Sequence, residues 1–236
     1  MKVIYVDNYK ELSKIAANII SAQIILKPNS VLGLATGSSP IGIYQELIQK
    51  NKNGDIDFSK IRTINLDEYV GLSESNPQSY RYFMNENLFN HINIDKNNTY
   101  VPNGMAENLK IEAQNYDQRV DEFGGIDLQL LGIGLDGHIG FNEPDTFFTK
   151  ETHVVKLDNS TIEANARFFK NKEDVPKSAI TLGMGGIMNA KKIILIANGQ
   201  NKKDILDKAV NGKITPEIPA SILQLHNDVT VIYSEE

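Results

Sequence analysis

The period of the apolar positions changes repeatedly along the chain, and the changes predict strands alternating with helices. Residues 2–6 read as a short strand. Over 8–27, Leu12, Ile15, Ala16 and Ile19 recur at helical spacing, with Gln23 next in register, and predict a helix. Val31-Leu32-Gly33-Leu34-Ala35 is an unbroken apolar run of strand length. Thr36-Gly37-Ser38-Ser39-Pro40 interrupts it, and a second helix is expected to run to about Lys50. A strand is predicted over 61–66, a loop around Asn76-Pro77, and helices over 79–90 and 109–123, the second stopped by Gly124-Gly125. Residues 126–133 form the strongest strand pattern, with Gly132, Gly134 and Gly137 marking its exit. Further strands are expected at 154–157, 179–182, 193–197 and 229–233.

This alternation implies an α/β fold, a mostly parallel twisted sheet with helices on both faces, of the Rossmann-like open kind. No linker-like stretch or internal repeat divides the 236 residues, so one domain spanning 1–236 is expected. Ligands of such sheets bind outside the carboxyl ends of the strands. The unusual polar and glycine-rich segments fall at those ends: Thr36–Ser39, Asp67-Glu68-Tyr69, Asp136-Gly137-His138 with Asn142-Glu143-Pro144, and Asn198-Gly199-Gln200-Asn201-Lys202.

Composition narrows the chemistry. The net charge of −6 argues against nucleic acid, whose binding rests on basic patches. An anionic metabolite then needs a local site that overrides the overall field. The absence of cysteine removes disulfides, thiolate metal sites and cysteine nucleophiles, and fits a reducing compartment. The first residues lack the apolar core of a signal peptide, and no apolar run approaches the roughly 20 residues of a membrane span, so a cytoplasmic location is expected.

In the 36–40 loop, Ser39 suits a helix N-cap and Pro40 the first helical position, which would direct N–H groups and hydroxyls of Thr36, Gly37, Ser38 and Ser39 at a phosphate. It is not a Walker loop, because the lysine is missing, and a plain capped turn fits equally. The adjacent carboxylates Asp67 and Glu68 are unusual after an apolar strand, since each resists desolvation; a capping or surface pair is the simpler reading. Asp136, His138 and Glu143 form the sharpest cluster. A histidine passes protons near neutral pH, and a neighbouring carboxylate can orient it. A satisfied loop histidine is the competing reading. A metal site is the third, disfavoured because His91, His153 and His226 form no ligand-spaced pair. Arg167 and Lys202 suit a phosphate, as a fork and a point charge, or are solvated surface cations.

Taken together, Leu34–Pro40, Asn65-Leu66-Asp67-Glu68-Tyr69-Val70-Gly71-Leu72, Gly134-Leu135-Asp136-Gly137-His138-Ile139-Gly140-Phe141-Asn142-Glu143-Pro144 and Asn165-Ala166-Arg167-Phe168-Phe169 resemble the glucosamine-6-phosphate deaminases, nearly end to end and in the same order. The first segment is shared with wider relatives such as the 6-phosphogluconolactonases. The resemblance implies conversion of glucosamine 6-phosphate and water to fructose 6-phosphate and ammonia, with no metal or redox cofactor. It implies ring opening by His138 supported by Asp136 and Glu143, and proton transfer from C2 to C1 by Asp67. The phosphate would be held by Thr36, Gly37, Ser38, Ser39, Arg167 and Lys202, with Lys203 the rival to Lys202. A sugar-phosphate hydrolase of the lactonase kind leaves Asp67 idle. A sugar-phosphate sensor domain leaves the Asp136–His138–Glu143 cluster idle. A soluble monomer or small homo-oligomer is expected, with a sugar phosphate as its small-molecule partner and neither nucleic acid nor membrane. Relatives activated by N-acetylglucosamine 6-phosphate carry basic residues where this chain has His153 and Val155, and a longer C-terminal segment where it stops at Glu236, so activation by that effector is not expected.

Overall fold

The structure, a computed structural model, describes residues 1–158, 162, 163, 166, 169, 171 and 174–236. Seven strands form one parallel sheet in the order β1 (Lys2–Val6), β10 (Val229–Ser234), β9 (Ile193–Asn198), β6 (Leu128–Gly132), β2 (Val31–Leu34), β3 (Arg62–Asn65), β5 (Thr99–Tyr100). Successive residues of each strand point to opposite faces, and both faces are buried. Leu32, Leu34, Leu128, Leu130, Ile194 and Ile196 pack against α1 (Tyr9–Leu26) and α2 (Ile41–Lys52) on one side. Val31, Leu131, Ile193, Leu195 and Val231 pack on the other side with Tyr116 and Val120 of α4 (Leu109–Glu122). Burial on both faces is why these strands read as continuous apolar runs. No helix among the described residues is long and apolar enough to cross a membrane.

The α/β class is as the periodicity predicted, with two strands that it did not predict. β5 is a two-residue edge strand, too short to produce a pattern. β4 (Asp67–Tyr69), read from sequence as a loop after a strand, is itself a strand. It belongs to a second sheet, antiparallel, in the order β4, β8 (Ser178–Thr181), β7 (His153–Lys156). Leu66 is where the chain changes sheets. Its N–H still donates to Leu34 O of β2 at 3.2 Å, while its carbonyl accepts from Leu182 N beyond β8 at 2.6 Å. Asp67 is thereby lifted out of the main sheet and held opposite Thr181.

The chain builds the main sheet outward from β2 in two directions. β3 and β5 extend one side, then the chain returns to lay β6 against the other side of β2. The connections after β2 and β6 therefore diverge, and the crevice opens between them at their carboxyl ends. The loops at 36–39 and 133–143 flank that switch point.

Candidate active site

The loop after β2 is the first wall. The structure corrects the capping expected there. α2 begins at Ile41, Pro40 occupies the N-cap position, and no side chain caps the helix from Ser39. The phenol of Tyr9 takes that part instead: its oxygen accepts from Gly42 N at 2.8 Å and its hydroxyl donates to Ser39 O at 2.9 Å. Thr36, Gly37 and Ser39 are half-buried and Ser38 is exposed.

The second wall is β4. Asp67 and Glu68 are both buried, at 6% and 2% exposure, so neither is a surface carboxylate. They are buried for different purposes. Glu68 accepts from Tyr69 N and Tyr80 N at 2.8 Å and from Arg81 N at 2.9 Å. Tyr80 and Arg81 open α3 (Tyr80–Asn87), whose free N–H groups favour a carboxylate. Burial still pushes Glu68 up to about 6 against those hydrogen bonds. Asp67 has no hydrogen-bond partner among the described residues. Burial first, then the charge of Glu68, push its carboxyl up to about 8, and His138 pulls the other way. Around it stand Tyr69 of its own strand, Tyr80 of α3 and Tyr116 of α4.

The third wall is the loop after β6. His138 Nδ1 lies 2.7 Å from Asp136 Oδ1 and 3.6 Å from Glu143 Oε2. The same Asp136 oxygen accepts from the backbone N of His138 at 3.1 Å, so one carboxylate grips both backbone and ring. Gly134 makes the placement possible. A Cβ there would lie 2.2 Å from His138 Cε1 and Nδ1, inside any permitted contact. Burial lowers the proton affinity of the ring, but the Asp136 contact, then Glu143, outweigh it and hold His138 above its ordinary value, while Lys202 opposes them. Burial likewise disfavours ionised Asp136, and the His138 contact overrides it, leaving that carboxyl depressed. Asn142 ties this loop to β8 by donating to Leu182 O at 2.9 Å, and Phe141 N donates to Thr181 Oγ1 at 3.1 Å. Tyr80 stacks on Phe141 at 5.9 Å with the rings 7° apart, so α3, β4 and this loop share one aromatic cluster with Tyr69.

Asp136, His138 and Glu143 each offer a ligand atom within 4.8 Å of the others. His138 Nδ1 and Asp136 Oδ1 approach to 2.7 Å, the distance of a close ion pair. Two ligands at about 2.0–2.1 Å on one tetrahedral ion stand wider apart than that.

The two lysines separate. Lys203 Nζ meets exposed Glu235 at 2.5 Å. Lys202 Nζ donates to Ile133 O at 2.7 Å, at the exit of β6, and its charge reaches His138. Arg167 lies outside the described residues. Tyr9, Thr181 and Tyr80 were not singled out from sequence, and Gly134 was read only as a strand exit. Only the Gly134 position carried a signal, as one of several glycines after β6.

Comparison with known proteins bears on the family and the fold. Residues 7–232 match the family model described as glucosamine-6-phosphate isomerases/6-phosphogluconolactonase. A glucosamine-6-phosphate deaminase of Lachnoclostridium phytofermentans is 64% identical over 232 residues, covering 98% of each chain. One from Clostridium botulinum is 60% identical over 236 residues, covering 100% of this chain and 97% of its own. Among solved structures, a monomeric glucosamine-6-phosphate deaminase superposes with a TM-score of 0.98 at 47% identity, covering 100% of this chain and 98% of that one. A 6-phosphogluconolactonase from Thermotoga maritima, 16% identical with a TM-score of 0.79 and covering 100% of this chain and 99% of that one, shares the fold. An α/β sheet with its polar loops at one switch point, matched over nearly its whole length by this family model and by relatives at about 60% identity, places the chain in the glucosamine-6-phosphate isomerase/6-phosphogluconolactonase family.

Proposed function

We propose that the protein converts glucosamine 6-phosphate and water to fructose 6-phosphate and ammonia. The observation that carries this reading is the pairing of two proton carriers in one crevice: a buried carboxyl without a hydrogen-bond partner among the described residues, Asp67, beside a histidine held by two carboxylates. The full-length identity to deaminases supports the same substrate.

The reaction needs two separate proton transfers. His138 exchanges protons with the ring and anomeric oxygens, breaking the C1–O5 bond and leaving an open-chain aldehyde. Asp136 and Glu143 keep the imidazole oriented and basic enough to take a proton and return it. Asp67 then removes the C2 hydrogen and returns it to C1 on the same face, turning the aldehyde carbon into an alcohol and the C2 amine into an imine. Water adds to the imine carbon and ammonia leaves, giving the ketone. The cationic amine on C2 adds to the pull of His138 on Asp67, and so favours the ionised base when substrate is present. No step transfers electrons to a carrier.

Thr36, Gly37, Ser38 and Ser39, with Arg167 and Lys202, hold the phosphate. Hydrolysis of a lactone gives Asp67 nothing to do. Residues 1–236 act as one unit, with the first strand paired to the last. The protein works on a phosphorylated metabolite of the cell interior, as a monomer or small homo-oligomer, and the monomeric relative favours the monomer. The test is purified protein with glucosamine 6-phosphate and excess chelator, with ammonia and fructose 6-phosphate assayed separately. Equal yields of both support the reading. Lactone hydrolysis without ammonia, or a requirement for added metal, overturns it.

A further inference from the structure

Three phenols from three different helices grip the loop after β2. Tyr44 of α2, fully buried, donates to Ala35 O at 2.5 Å. The Tyr80 phenol of α3 lies beside the Thr36 side chain. Tyr9, the first residue of α1, donates to Ser39 O at 2.9 Å with Ser38 O at 3.3 Å, and accepts from Gly42 N at 2.8 Å. The packing around Tyr9 is close. A Cβ on Gly42 would lie 2.4 Å from Ser13 Oγ and 3.0 Å from Tyr9 Cε1 and Oη, so a side chain there would crowd both the serine and the ring.

These contacts orient the loop's peptides. In a trans peptide the C=O and the following N–H point in opposite directions. With Ala35 O drawn to Tyr44 and Ser38 O drawn to Tyr9, the N–H groups of Thr36 and Ser39 face away from those phenols. Ser39 O is also turned to Tyr9, so these two carbonyls of the loop's second half are kept from an incoming anion. The Gly42 N–H, one of the free donors at the start of α2, is already taken by Tyr9.

We propose that Tyr9 is a positioning residue for the substrate's phosphate: its hydroxyl holds the 38–39 peptides so that the loop is ready for the anion before it arrives. This rests on the reading of 36–39 as the phosphate loop. Fixing the loop in advance removes an ordering cost from binding. It acts equally on every species that carries the phosphate, so it changes affinity and leaves the chemical step alone.

Tyr9→Phe removes one oxygen and keeps the ring. Losing a net hydrogen bond changes an equilibrium about 3- to 10-fold. The KM for glucosamine 6-phosphate should rise by that factor with kcat within about two-fold. The affinities for fructose 6-phosphate and inorganic phosphate, measured by calorimetry, should fall by the same factor. Gly42→Ala, which displaces the ring while keeping the phenol, should reproduce the pattern and covers the case in which one variant fails to fold. A residue that serves only stability would lower the melting temperature and leave these affinities untouched. Unchanged affinity for phosphate and product, or a fall in kcat with KM unmoved, overturns the proposal. Inorganic phosphate separates the two readings: weakened phosphate binding in the variant supports Tyr9 even where the wild-type protein releases no ammonia.

Discussion

Asp67→Asn should make the protein more stable, and increasingly so as pH rises from 4 to 8. The folded structure raises this carboxyl from an ordinary 3.8 to about 8, chiefly by burying it, with Glu68 adding to the rise and His138 opposing it. Between those values the folded chain holds the proton and the unfolded chain releases it. The sign follows from linkage: a folded state that binds more protons loses stability as pH rises. The carboxyl is therefore harmless below about pH 4, costs progressively more up to about pH 8, and costs a constant amount beyond. At roughly 1.4 kcal/mol per unit, a rise of about four units sets an upper figure near 5–6 kcal/mol. Local relaxation and water reduce such figures, so a gain of about 2–4 kcal/mol at pH 8 is expected. Asparagine keeps the size and carries no charge. For a chain of this length the gain corresponds to a melting temperature higher by on the order of 5–15 °C. Thermal unfolding of both proteins at intervals from pH 4 to pH 9 measures the gap directly. A gap that stays constant from pH 5 to pH 8, or a variant that melts below wild type at pH 8, would refute the reasoning. The same variant should lose exchange of the C2 hydrogen with solvent while still binding fructose 6-phosphate.

Gly134→Ala should fold with nearly native circular dichroism but lose activity by about 100-fold or more, because a Cβ 2.2 Å from the His138 ring displaces it. Rates and spectra measured on one preparation check this. Asp136→Asn removes the contact that, against burial, keeps His138 protonated to higher pH; the acidic limb of the kcat/KM profile, where the base is lost by protonation, should move to lower pH, and an unmoved limb would contradict the pairing. N-acetylglucosamine 6-phosphate should leave the saturation curve hyperbolic and unshifted. An effector must find contacts that favour one state, yet Val155 packs against the apolar cluster of Tyr69, Phe141, Leu157 and Ala179, and His153 turns its ring to Glu151 O. A sigmoidal curve made hyperbolic by the effector would contradict this.

Much of the fold was legible in the chain because its strands are buried on both faces and its helices keep a helical stripe. The apolar run at 31–35 and the strand pattern at 126–133 could be little else once glycine and polar residues closed them. The parallel order placed the polar loops at one edge, and so gathered Thr36–Ser39, Asp67 and Asp136–Glu143 before any coordinates. What sequence could not decide was where each side chain points. Asp67 and Glu68 are neighbours of one type, and nothing local says that Glu68 is consumed by the first turn of α3 while Asp67 has no hydrogen bond among the described residues. That division depends on α3, more than ten residues away, and on Leu66 passing the chain from β2 to β8. Lys202 and Lys203 are likewise equivalent until the start of the helix Lys203–Asn211 turns one toward Ile133 and the other toward Glu235. Ser39 has the chemistry of a helix cap, yet a phenol 30 residues earlier in the chain occupies the place. Periodicity and loop chemistry record local preference and burial, and so determine the class of fold and the edge that carries the site. The pairing of groups distant in sequence is settled by packing, and that pairing sets which carboxyl holds a proton and which merely holds a helix.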